Sequence, residues 1–451
     1  MKKKSYEIDM CSGSLLPKIL AFSLPLMASS ILQLLFNAAD MVVVGRFAGS
    51  TALAAVGANA SLINLLTNLF IGFSVGANVM VAQFYGAKKD RDMSETVHSA
   101  LVLSQICGIF LLALGILLAP QILILMGTPQ DVLGQAVLYI RIYFVGMPVV
   151  LLYNFGSSIL RAVGDTKRPL YYLLAAGLIN IILNLVFVIG FEMGVAGVAL
   201  ATVISQCVSA ALILRCMMHL ENGCKVQFSK LAMKREKVFQ IVRIGLPAGL
   251  QGTVFSLSNV LIQSSVNSFG SVAMAGNTAA SNIEGFIFMA MNSYHQTALS
   301  FASQNFGAGN YKRIVTALLE CLAMVTAVGL VMGWAAYLSG NQLLGIYSSD
   351  PRVIEVGLLR LSVICTTYCL CGLMDVLVGG LRGIGSAVLP MVVSLLGACG
   401  FRMVWIFTVF QQNRSLWMLY LSYPVSWTLT AAIHILCFIL IMRRQKGRGK
   451  N

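Results

Sequence analysis

The chain has 451 residues, of which 58% are hydrophobic and 10% charged, with a formal net charge of +15 at pH 7. Ordinary soluble domains carry roughly 25% charged residues, so this composition excludes a soluble globule and implies a multi-pass membrane protein. The basic excess does not point to nucleic acid, because its placement along the chain has a different explanation.

Apolar runs of about 20 residues are long enough to cross a bilayer as helices. In the first half they start near Leu15, Ala52, Thr96, Ala136, Leu170 and Val195, and in the second near Val238, Val272, Ile314, Val353, Val388 and Leu416. The expected fold is all-α, with about twelve transmembrane helices in two pseudo-symmetric six-helix bundles. The short alternating segments of a transmembrane barrel are missing. The first bundle is expected over residues 1–220, a polar linker over 221–237, the second bundle over 238–442 and a basic tail over 443–451. The first apolar run is too long for a cleavable signal peptide and lacks a small-residue cleavage site.

The second half repeats the first. Gln83-Phe84-Tyr85-Gly86-Ala87 recurs as Gln304-Asn305-Phe306-Gly307-Ala308, 221 residues later. Leu160-Arg161-Ala162-Val163-Gly164 with Pro169 recurs at the same spacing as Leu381-Arg382-Gly383-Ile384-Gly385 with Pro390. Leu24-Pro25 recurs as Leu246-Pro247, and Pro129 as Pro351, 222 residues later. A spacing held to within one residue implies two copies of one unit. Six helices return the chain to its starting side, so the copies share one orientation and an axis along the membrane normal. In transporters that layout puts the substrate site at the repeat interface.

With the N-terminus inside, the inside segments hold 25 of the 31 lysines and arginines, from Lys2, Lys3 and Lys4 to Arg443, Arg444, Lys446, Arg448 and Lys450. The outside loops hold only Arg46, Arg352 and Arg414. This bias places both termini in the cytoplasm and leaves basic charge to contact anionic lipid. The eleven cysteines are scattered, with no Cys-x-x-Cys pair. Cys365 and Cys369 lie one turn apart with no nearby histidine to complete a metal set. They read as packing residues in a reduced state.

Ionisable groups deep in the spans are few, and each defaults to a functional hypothesis. Asp40, Glu284 and Asp375 are the acids, Arg402 the deepest base with Arg141 and Arg360 less deep, and His295 and His434 complete the set. Asp40 is the strongest candidate. Gln33 and Asn37 precede it on the same helical face. Asn180 and Asn184, and Thr202 and Gln206, make two further i, i+4 polar pairs. Together these residues describe an oxygen-rich pocket with one negative charge, suited to taking a proton or a sodium ion. A network that only holds helices together is the alternative. The counterpart of Asp40 in the second copy is Ile262, so ion coupling is expected in one half only. Asn259, Gln263 and Asn267 form a polar face in the second copy that is expected to line the cavity. Glu284 and His295 share a face about 16 Å apart at about 1.5 Å per residue, as successive stations of a proton path or as partners of other residues. Asp375, with Tyr368 and Cys371 on its face, is a candidate substrate or proton contact. Arg402 reads as a structural counter-charge.

These residues resemble the multidrug and toxic compound extrusion (MATE) family over nearly the whole chain. The likeness rests on Leu24-Pro25, Asn37 to Gly45, Gln83 to Ala87, Leu160 to Asp165, Met193 to Ala199 before Thr202, Ser303 to Gly309 and Leu381-Arg382-Gly383. It implies two six-helix bundles around a cleft and exchange of an organic cation for H+ or Na+, with no other cofactor. The DinF-like branch is the better match. There the first-helix acid, here Asp40, works with Asn180, position 184 and Thr202. Many relatives carry an acid where Asn184 stands. The NorM-like branch uses an acid in helix 7, and no Asp or Glu occurs from Gly245 to Ser268.

The expected protein is therefore a monomeric, multi-pass antiporter of the cytoplasmic membrane. Its cargo is expected to be small, cationic and amphipathic, a drug or a metabolite. A lipid-linked saccharide flippase shares the architecture and is the alternative, but it would need buried cations to hold a pyrophosphate. Only Arg402, Arg141 and Arg360 qualify. A membrane enzyme is not expected, since none of His98, His219, His295 and His434 has an acid at a motif-like spacing.

Overall fold

The computed structural model describes residues 6–448, so Lys2, Lys3, Lys4 and the last three residues of the basic tail lie outside it. The described residues are helical almost throughout. The elements are α1 (Leu15–Val43), α2 (Ser50–Gly86), α3 (Asp90–Leu125), α4 (Gln130–Val145), α5 (Met147–Ala162), α6 (Lys167–Asn184) and α7 (Gly194–Met218). They continue as α8 (Arg235–Asn267), α9 (Ser271–Gly307), α10 (Tyr311–Leu338), α11 (Gly340–Gly345), α12 (Pro351–Ile364) and α13 (Cys369–Gly383). The last are α14 (Val388–Ser394), α15 (Phe401–Phe407), α16 (Val409–Gln412) and α17 (Leu416–Arg448). Wide π-helical turns follow α1 at Val44–Ala48 and α6 at Leu185–Gly190, and join α14 to α15 at Leu395–Gly400.

Nine helices among the described residues are long and apolar enough to cross a membrane, or eleven if each of two bent pairs counts as one span. The bent pairs are α4 with α5, at 49°, and α12 with α13, at 46°. They are counterparts in the repeat. The span that starts near Val272 is α9. It is 37 residues long but too polar to count by hydropathy, because Asn277, Glu284, His295, Gln304 and Asn305 are on it and all five are buried in protein. The described part of the tail is no separate segment: α17 continues as helix through Arg448.

The chain divides into two compact units. The first holds residues 6–9 and Ala28–Gly249, and the second Met10–Met27 and residues 250–448. The division differs from the one expected along the sequence. It falls inside α1 and α8, just after Pro25 and Pro247, where a missing backbone N–H weakens the helix. The polar segment 221–237 belongs to the first unit because it is bonded to α3. Gln227 N donates to His98 Nε2 at 3.1 Å, Lys234 N to Ser99 Oγ at 3.0 Å, and Lys237 Nζ to Asp92 Oδ1 at 2.6 Å.

In the first unit α2 lies against the first half of α8 along four glycines, Gly72 and Gly76 facing Gly245 and Gly249. A Cβ on Gly76 would sit 2.1 Å from Ile241 O, and one on Gly72 2.4 Å from Gly249 N. Only glycine permits that approach, which stands in for a hydrophobic drive that lipid does not supply. In the second unit the first half of α1 packs with aromatic bulk instead: Phe22 and Phe301 meet edge to face at 5.9 Å.

The repeated Leu-Arg-x-x-Gly motif ends α5 and α13 in the same way. Gly164 and Gly385 follow these helices with φ of 92° and 84°, a left-handed conformation that stops the helix without a Cβ penalty. In the first copy the next residue, Asp165, is buried and accepts from Arg168 N at 3.1 Å. Burial pushes its carboxyl up to about 6. In the second copy Ser386 takes its place.

Candidate functional site

Four of the candidate residues meet in the first unit. Asp40 is half-buried near the end of α1. Asn180 and Asn184 stack one turn apart on α6 with 5% and 1% of their surfaces exposed, and Thr202 projects from α7. A directional chain of hydrogen bonds joins them. Thr202 Oγ1 donates to Val198 O at 3.0 Å, the backbone carbonyl one turn back, and so accepts from Asn180 Nδ2 at 3.4 Å. That turns Asn180 Oδ1 toward Asn184, whose Nδ2 donates to it at 3.2 Å and to Asp40 Oδ1 at 2.5 Å. The orientation of each amide follows from the carbonyl that anchors the chain.

Two features of this cluster bear on its chemistry. No basic side chain among the described residues pairs with Asp40, so its charge is opposed only by amide and hydroxyl dipoles. Asn184 Oδ1 is buried with no hydrogen-bond partner. An orphaned oxygen beside a carboxylate, with Asn180 and Thr202 oxygens next to it, is the hard donor set a sodium ion would take. The same carboxylate would take a proton with no further ligand. No group of three His, Cys, Asp or Glu among the described residues fits a bound metal. Gln33 and Asn37, expected on the same face as Asp40, are exposed and form none of the cluster's hydrogen bonds.

The remaining candidates lie in the second unit and form a different structure. Glu284 on α9 is not a free station. Arg360 on α12 grips it as a fork, Nε to Oε1 at 2.8 Å and Nη2 to Oε2 at 2.7 Å, with both side chains buried. Arg360 Nη1 also donates to Asn277 Oδ1 at 2.6 Å, which accepts from Tyr420 Oη at 3.1 Å. Asn277 Nδ2 donates to Gln263 Oε1 at 2.8 Å. The fork geometry and satisfied neighbours are what make a buried pair tolerable. His295 is not part of this network: its Nδ1 lies 2.6 Å from the Asp375 backbone oxygen, between α9 and α13. The Asp375 side chain is half-buried. Arg402 on α15 is buried, donates from Nε to Ser426 Oγ at 2.9 Å, and stacks 4.1 Å over the Tyr423 ring. A cavity of about 240 Å³ opens here. Its walls include Asn259, Ile262, Gln263, Glu284, Arg360 and Tyr368.

Arg360 was the partner that residue spacing did not reveal. It lies 76 residues from Glu284, so no local periodicity joins them. The only sequence signal was that opposite charges in two spans need each other.

The MatE family model matches this chain twice, over residues 25–186 and 247–408. The chain belongs to the MatE family. Both ends of the second match lie 222 residues beyond those of the first, within one residue of the spacing of the repeated motifs. The chain is 30% identical over 389 residues to "Probable multidrug resistance protein YoeA" of Bacillus subtilis (strain 168), covering 84% of this chain and 83% of that protein. It is also 30% identical to "Probable multidrug resistance protein YpnP" of the same organism, covering 86% and 87%. Its fold matches a crystal structure of MATE in complex with MaL6, with a TM-score of 0.92 at 20% identity, covering 99% of this chain and all of that one. The protein is a multi-pass membrane transporter of the multidrug efflux class, not an enzyme.

Proposed function

We propose that this MatE protein is a secondary antiporter of the cytoplasmic membrane, with both termini inside. It exports organic cations in exchange for inward H+ or Na+, and Asp40 is the coupling group. The observation that carries the reading is a membrane-embedded carboxylate with no cationic partner among the described residues, held by a neutral donor. Such a group is expensive in a bilayer unless it exchanges its charge.

In this reading Asp40 takes the ion from outside and is neutralised. Asn184 is the residue that senses the change, because its amide bridges Asp40 and Asn180. The part of α1 beyond Pro25 then rearranges and cargo leaves. Export of one monovalent cation against an inside-negative potential costs about 2.3 kcal/mol per 100 mV. One cation entering cancels that cost, which favours exchange over uniport. The relatives are named for multidrug resistance, which lends support to drug-like cargo and none to the saccharide-flippase alternative.

Reconstituted vesicles test this. A pH gradient and a Na+ gradient, imposed separately, are each expected to be scored for uptake of a fluorescent cation, and at least one drives it. Asp40→Asn abolishes that uptake in folded protein. Full driven uptake by Asp40→Asn would refute the assignment.

A further inference from the structure

The cavity of about 240 Å³ in the second unit has walls of no net charge. Its charged walls are Glu284 and Arg360, and each spends its charge on the other through the fork. Two amides beside them are spent as well. Asn277 Oδ1 accepts from Arg360 and Tyr420, Asn277 Nδ2 donates to Gln263 Oε1, and Gln263 Nε2 donates to Asn267 Oδ1 at 2.9 Å.

The buried groups left unspent are neutral donors. Tyr368, Tyr423 and Trp427 also wall the cavity, with 8%, 9% and 4% of their surfaces exposed. The rings form one cluster, Trp427 lying 5.4 Å from Tyr368 and 5.6 Å from Tyr423. Neither hydroxyl nor the indole N–H has a hydrogen-bond partner among the described residues. Buried Tyr and Trp donors are normally paired, so three around one cavity mark a place for acceptor atoms from outside the chain.

The charge of the guest follows from what surrounds it. An anion finds no free cation in the walls, since Glu284 holds Arg360. An organic cation, a common guest of aromatic walls, meets rings that already carry cations. Arg402, behind the walls, lies 4.1 Å over Tyr423 and 5.6 Å over Trp427, and Arg360 lies 5.6 Å over Tyr423. An uncharged planar molecule with a carbonyl oxygen meets neither obstacle. Aromatic walls with a few placed polar groups are the ordinary lining of such a site.

We propose that this cavity binds an uncharged aromatic carbonyl compound, held by the hydroxyls of Tyr368 and Tyr423 and the indole N–H of Trp427. The cargo range of the transporter then extends to neutral molecules, and their exchange for an inward cation moves net charge. This rests on the reading that the chain moves small molecules. It is independent of Asp40, whose cluster is in the other unit.

The test is equilibrium dialysis of 2-naphthamide, 2-naphthoate and 2-naphthylmethylammonium against full-length protein in phosphatidylcholine nanodiscs, with uptake by empty nanodiscs subtracted. The amide is expected to bind roughly tenfold tighter than either charged probe, or better. The double variant Tyr368→Phe with Trp427→Phe keeps the rings and removes two donors. It is expected to weaken amide binding about tenfold, the worth of one or two neutral hydrogen bonds. Asp40→Asn leaves amide binding unchanged, so failure of the coupling assignment and failure of this site are read separately. Equal binding of the three probes, or preference for a charged one, overturns the proposal. Full amide affinity in the double variant overturns it by placing the probe elsewhere. No amide binding beyond that of empty nanodiscs also overturns it, leaving the three donors to water.

Discussion

The two copies of the repeat treat buried charge in opposite ways. In the first, a carboxylate stands alone among amides and a hydroxyl, and one buried oxygen beside it is unused. In the second, the matching position is Ile262, a wall of the cavity, and a buried carboxylate elsewhere, Glu284, is locked into an arginine fork. A carboxylate facing neutral dipoles is able to trade an ion at modest cost. One held by a guanidinium cannot let go without stranding a buried cation. Duplication preserved the backbone and its turn motifs while the two sites diverged in chemistry.

The comparison breaks most sharply at Asp40. Asp40→Asn is expected to reduce ion-driven cation uptake in vesicles to the leak of empty vesicles, with the thermal midpoint of the purified protein nearly unchanged. If uptake persists, the first-copy cluster is structural and the contrast between copies loses its functional meaning. Next comes the fork. Arg360→Gln is expected to destabilise by about 3–5 kcal/mol, because Glu284 is left buried and unpaired. The double variant with Glu284→Gln is expected to recover most of that loss in denaturant titration. Additive losses would show that the two side chains do not depend on each other.

The glycine contact sharpens the contrast at the level of packing. Gly76→Ala is expected to cost about 1–3 kcal/mol, since its Cβ meets the Ile241 carbonyl. At the 221-residue spacing that α2 and α9 share, the second copy has Thr297, already buried with its Cβ accommodated, and Thr297→Ala is expected to cost no more than about 1 kcal/mol, the worth of its one hydrogen bond to Ser293 O. Equal costs would mean the two units pack by the same rule. The smallest effect is expected at Asn184. Asn184→Asp adds a second carboxylate to the cluster and shifts the apparent affinity for the driving ion by about tenfold. Unchanged pH and Na+ profiles would remove Asn184 from the site.

Much of this is legible in the amino-acid sequence. Helical spacing marks the i, i+4 pair Asn180 and Asn184, shared polarity and the family resemblance group them with Thr202 and Asp40, and hydrogen bonds join all four. Gln33 and Asn37 share the helical periodicity of Asp40 yet take no part in its hydrogen bonds. Periodicity tells which residues share a face of one helix, not which neighbour that face meets.

What the amino-acid order alone determined was the membrane character, the repeat and the few acids within the spans, because hydropathy, spacing and charge are local properties of the chain. Tertiary structure decided the pairing of Glu284 with Arg360, the binding of segment 221–237 to α3, and the division of the chain within α1 and α8. Each depends on contacts between helices far apart in sequence. In a bilayer such contacts are selected by close packing and by the cost of an unpaired polar group, neither of which leaves a periodic trace.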